Sequence, residues 1–129
     1  MSLYQHPLFT LDLNKVVAVF QNEDDSAMTI RTDDQRKIEV ATPSTDAAAE
    51  LLAAFSDQWE KAVGPLLRHG KNVYLTSAIY SIQAEGAEVF IYFRDHSVSF
   101  ATTDDQQALE LLAELTRRWQ LAIGEVTAA

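Results

Sequence analysis

ELLAAFSDQWEKAVG, residues 50–64, is nearly repeated as ELLAELTRRWQLAIG, residues 110–124, sixty positions later. Laid over residues 101–124, residues 41–64 match at ten positions: Ala41, Thr42, Ala48, Glu50, Leu51, Leu52, Ala53, Trp59, Ala62 and Gly64. Chance does not give that over 24 residues. Apolar residues at 51, 52, 55, 59, 62 and 63, and at 111, 112, 115, 119, 122 and 123, form one stripe at helical period. Each segment is therefore read as an amphipathic helix. Ser44 or Thr45 can cap the first, and Thr103 with Gln106 makes a capping-box pattern for the second. Gly64 and Gly124 supply the stops, and Pro65 cannot continue the first helix.

Upstream of each helix the pattern changes to period two. LDLNKVVAVFQ corresponds to VYLTSAIYSIQ, with Leu11, Leu13, Val17 and Phe20 aligned to Val73, Leu75, Ile79 and Ile82. Met28 and Ile30 then align with Val89 and Ile91, and Ile38 and Val40 with Val98 and Phe100. Alternation of this kind marks strands, and NEDDS, TDDQ, EGAE and RDHS mark the turns between them. The fold class expected is α+β: an internally duplicated (β-β-β-α)x2 chain, with antiparallel sheets packed against two amphipathic helices about a pseudo-twofold. A three-stranded sheet with one helix is a thin half-core, so two repeats are expected to share one. Residues 1–129 read as a single domain of two repeats, about 8–64 and 72–124, joined by residues 65–71.

Composition bounds what such a domain does. The chain has 129 residues, 47% of them hydrophobic and 22% charged, which is the balance of a globular domain. It has no cysteine, which excludes disulfides, thiolate catalysis and sulfur-ligated zinc, and fits the cytoplasm. MSLYQHPLF lacks the basic and apolar regions of a signal peptide, and no apolar run is long enough to span a bilayer. The net charge is -9, and both halves are acidic. Phosphate binding needs concentrated cations, so nucleic acid is an unfavoured partner on this ground, as is an anionic membrane.

No pattern of reactive residues points to catalysis. His6, His69 and His96 lie far apart without metal-ligand spacing. Glu23-Asp24-Asp25, Asp33-Asp34 and Asp104-Asp105 fall in turns or before a helix, where aspartate bonds the local backbone. There is no Gly-x-Ser-x-Gly elbow, no Ser-x-x-Lys and no glycine-rich phosphate loop. No cofactor and no metal is expected, and the reading leans away from an enzyme. Trp59 and Trp119 sit at matching places on the two stripes and are read as core.

The copies differ in one informative way. Met28-Thr29-Ile30-Arg31-Thr32 alternates, giving a sheet face that is polar, whereas Val89-Phe90-Ile91-Tyr92-Phe93 is apolar on both faces. With Val89 and Ile91 inward, Phe90 and Tyr92 point outward, and Tyr74 joins them by its alternation with Val73 and Leu75. Phe90, Tyr92 and Tyr74 are thus the candidate interaction face. The first expectation is a non-enzymatic protein–protein interaction or regulatory module, self-associating as a homodimer or bound to another protein. Two alternatives stand beside it. At the level of fold, the repeated strand-rich unit resembles pseudo-symmetric single-stranded nucleic-acid binders, which stack bases on an aromatic sheet face. A small-ligand carrier would instead use a cleft between the two helices.

Overall fold

A computed structural model describes residues 2–22, 26–94 and 96–124, and the chain divides into two compact units, residues 1–75 and 76–129. The turn residues Glu23, Asp24, Asp25 and Asp95 lie outside the described residues.

The first unit opens with a hairpin of β1 (Leu3–His6) and β2 (Phe9–Asp12). Inside its turn the His6 Nδ1 accepts from the Leu8 amide at 3.1 Å, and the His6 ring stacks on Phe9 with centroids 4.7 Å apart. A 3-10 turn, Leu13–Lys15, follows because Asp12 Oδ1 accepts from the Asn14 amide at 3.0 Å. That local bond divides what reads in sequence as one long strand into β2 and β3 (Val16–Gln21). β4 (Ala27–Thr32), β5 (Lys37–Ala41) and α1 (Thr45–Val63) come next, then β6 (Leu66–His69) and β7 (Asn72–Leu75). The expected joining segment is therefore part of a sheet, with Leu66 and Leu67 buried in it.

The five strands run antiparallel in the order β5-β4-β3-β7-β6. One face carries Val19, Met28, Ile30, Val40 and Val73, all buried, and α1 lies against β3 and β4. From α1 come Ala48, Leu52, Phe55, Ser56 and Trp59, with Tyr4 of the first hairpin edge-on to Phe55 at 4.8 Å. Full burial of side chains of this size contributes about 1.5–3 kcal/mol each. The other face, read as polar from Thr29 and Arg31, is largely buried. Ala18, Ala27, Thr29, Leu67 and Tyr74 are all buried there, with Thr29 donating to Asn22 Oδ1 at 3.0 Å.

Ser44 caps α1 by accepting from the Ala47 amide at 3.1 Å. The helix ends at Gly64, whose φ of 140° belongs to a region that side chains with a Cβ rarely adopt.

The second unit has a 3-10 turn, Thr76–Ala78, then β8 (Ser81–Glu85), β9 (Glu88–Tyr92), β10 (Ser97–Ala101) and α2 (Asp105–Ala122). The sheet is antiparallel in the order β10-β9-β8, and α2 packs on β8 and β9. The fold is α+β, as the alternating and helical periods indicate. The expected internal duplication is not confirmed. The order of two strands, a 3-10 turn, three strands and a helix occurs twice, but β6 and β7 complete the first unit's sheet, leaving five strands there and three here. The α2 cap also differs from the expected one. Asp104 Oδ1, not Thr103, accepts from the Gln107 amide at 2.8 Å, and Gln107 Oε1, not Gln106, accepts from the Thr103 amide at 3.2 Å.

Candidate functional site

β9 decides what the second unit presents. Val89 and Ile91 are fully buried on the face that also holds Ile82, Val98 and Phe100 by register, and α2 adds Ala108 and Leu115 to that core. Strand alternation therefore sends Phe90 and Tyr92 to the opposite face, where both are half-buried. Their cross-strand neighbours are small or polar: Gln83 and Ser99 flank Phe90, and Ser81 and Ser97 flank Tyr92. The two rings stack with centroids 5.9 Å apart and planes 21° from parallel.

A hydrogen bond holds Tyr92 in this pose. Its hydroxyl donates to Glu85 Oε2 at 2.5 Å, although Tyr92 pairs in register with Ser81, four residues from Glu85. The phenol must therefore lie along the sheet. The bond to Glu85 raises the Tyr92 pKa above its ordinary value, with desolvation and the carboxylate charge acting in the same direction. Gln83 Nε2 donates to Ser81 Oγ at 3.2 Å beside it. Two residues after Tyr92, beyond the end of β9, is the exposed Arg94. The backbone turns there, with the Phe93 amide donating to the His96 carbonyl at 2.8 Å and the His96 ring stacked on Phe93 at 4.7 Å. His96 is half-buried in that stack.

Chemically this is a stacked aromatic pair edged by hydroxyl and amide groups, with the Glu85 carboxylate bonded to the Tyr92 hydroxyl. It can stack a planar group and offer hydrogen bonds around it. Tyr74 is not part of it. It lies on β7 in the first unit, is 2% exposed, and has its hydroxyl ionisation pushed up by burial. The parity that suggested Tyr74 is real, but it operates in a different sheet. Trp59 and Trp119 also diverge, since Trp59 is fully buried on α1 and Trp119 is half-buried on α2. Glu85 was not legible as a partner of Tyr92, because no spacing rule links residues seven apart across a hairpin.

No protein-family model matches the chain, and no curated protein sequence matches it. Among solved structures, the chain is similar to the LytTr DNA-binding domain of a Bacillus cereus protein described as a methyl-accepting/DNA response regulator. The TM-score is 0.51 at 10% sequence identity, over 90% of this chain and 97% of that one. The likeness is one of fold, and it corrects the partner expected from sequence. Net charge set nucleic acid aside in favour of a second copy or another protein, yet this architecture serves in a DNA-binding domain. Among the described residues no helix is long and apolar enough to cross a membrane.

Proposed function

We propose that this chain is a nucleic-acid-binding module of a regulatory protein, working in the cytoplasm, and that it holds single-stranded nucleic acid on the outer face of the β8–β10 sheet. The observation that carries the reading is the stacked, half-buried Phe90–Tyr92 pair on a sheet face edged by serines. Bases stack on such rings without regard to sequence, each contributing about 1–3 kcal/mol by alanine substitution. Arg94, exposed in the turn after Tyr92, is the cation offered to the phosphate backbone. Fold likeness to a domain described as DNA-binding supports the same class of ligand.

The test is fluorescence anisotropy with labelled single-stranded and duplex oligonucleotides at about 50 mM salt, where electrostatic attraction is least screened. Single-stranded binding that weakens about fivefold or more in each of Phe90→Ala and Tyr92→Ala supports the reading. Binding to duplex alone, unchanged by both substitutions, would move the contact to another surface. No binding to either form would overturn the function.

A further inference from the structure

A second place in the molecule is built like a binding site, and it lies wholly within the first unit. Between α1 and the β6–β7 hairpin is an open pocket of about 310 Å³, a volume at the lower end of small-molecule sites. Its floor is Gln21, Leu52, Ser56 and Val73, all buried. Its rim carries two cations, Arg68 and Lys71, both exposed.

The floor has one anomaly. Ser56 is 0% exposed, and its hydroxyl oxygen has no hydrogen-bond partner among the described residues. Leaving a buried hydroxyl unpaired is costly, and natural structures rarely do it without a reason. Gln21, by contrast, is fixed, its Nε2 donating to the Thr45 carbonyl at 2.9 Å. At the rim Arg68 bonds Asp57 Oδ1 at 2.9 Å and lies 3.6 Å from Glu60 Oε1. Lys71 has no ion-pair partner among the described residues, so its charge is available to an incoming anion.

We infer that this pocket binds a small organic anion: a carboxylate of a few carbons carrying a second oxygen. Its carboxylate meets Lys71 at the rim, its methylenes lie against Leu52 and Val73, and its keto or hydroxyl oxygen completes the hydrogen bonding of Ser56. The site is independent of the nucleic-acid reading and stands or falls separately.

The probes are 4-oxopentanoate and pentanoate, which differ only in that second oxygen. They are titrated into the full chain while amide resonances of Ser56, Lys71 and Val73 are followed by NMR. The expected result is saturable movement of Ser56 and Val73, with the oxo acid bound about threefold to tenfold more tightly, the range of one net hydrogen bond. Ser56→Ala, a small change in a buried position, abolishes that preference. Lys71→Gln, at the exposed rim, weakens both acids alike. Movement of Lys71 alone, with Ser56 and Val73 still, would be surface attraction and would overturn the proposal. So would an unchanged preference in Ser56→Ala, or no saturation with either acid at millimolar concentration.

Discussion

Tyr92 on β9 donates its hydroxyl hydrogen to Glu85 on β8 across 2.5 Å, and this bond holds the ring that stacks with Phe90 at 5.9 Å. Ionised Tyr92 would set a phenolate against a carboxylate, so its folded pKa stands above the ordinary value, as do those of Tyr4 and Tyr74 through burial. A group whose folded pKa is raised contributes stability that is fully present below its unfolded pKa, about 10 for tyrosine, and lost as pH rises through the folded value. The tyrosine contribution is thus expected to be level from neutral pH up to about pH 10 and to fall beyond it, read as the urea midpoint. Asp12 and Asp34, whose folded pKa values are lowered by hydrogen bonds, make stability fall in acid. Glu85→Gln should move Tyr92 ionisation back toward the usual range in a phenolate absorbance titration. If the difference between wild type and Tyr92→Phe is an ordinary tyrosine titration, the bond does not persist in solution.

How much of this surface was legible follows from what the sequence encodes locally. The phase of β9 was, because Val89, Ile91, Phe90 and Tyr92 sort by parity alone. Both helices were, through their stripes and their glycine stops. Ser56 was missed on the first stripe because a polar residue there breaks the pattern rather than extends it, yet it is fully buried. The division of the first strand had a signal in Asp12-Leu13-Asn14, where an aspartate can bond the amide two residues on. The pairing of β3 with β7 had none: Ala18 meets Tyr74 across 56 residues, and only the assembled sheet reveals that the second run's hairpin completes the first unit. That pairing sets Tyr74 beside Ala18 on the sheet face that also carries Thr29.

The two tryptophans should behave differently despite their matching places. Trp59 is fully buried beside Phe55, at 6.2 Å between centroids, whereas Trp119 is half-buried. Trp59→Ala should cost about 3–5 kcal/mol, the range for removing a large core aromatic. Trp119→Ala should cost about 1–2 kcal/mol, because much of that ring already meets water. Chemical denaturation of both variants measures this, and acrylamide quenching of the single-tryptophan proteins gives an independent check. Equal costs would mean that Trp119 is covered in solution.

Each helix has one residue whose truncation should loosen its first turn. Ser44 Oγ and Asp104 Oδ1 accept from amides that have no partner inside the helix. Ser44→Ala and Asp104→Ala should each destabilise by about 1 kcal/mol. Thr103→Ala should be nearly neutral, because the Thr103 backbone amide, and not its side chain, bonds Gln107 Oε1. A Thr103→Ala cost as large as that of Asp104→Ala would return the cap to the position that sequence pattern alone suggests.

Stacking and charge can be separated on the proposed nucleic-acid surface because they answer differently to salt. Arg94 is exposed in the turn that follows Tyr92, so it is offered to a phosphate while the rings meet bases. For a single strand the logarithm of affinity falls with the logarithm of salt concentration by about 0.7 per phosphate neutralised. Arg94→Ala should therefore weaken binding at low salt and reduce that slope by about 0.7. Phe90→Ala should lower affinity by a similar or larger factor and leave the slope unchanged, since stacking releases no counterions. The measurement is anisotropy at four salt concentrations for the three proteins. A Phe90→Ala slope that falls with its affinity would mean the substitution disturbs the sheet that carries Arg94, and the rings would lose their assignment as the stacking platform.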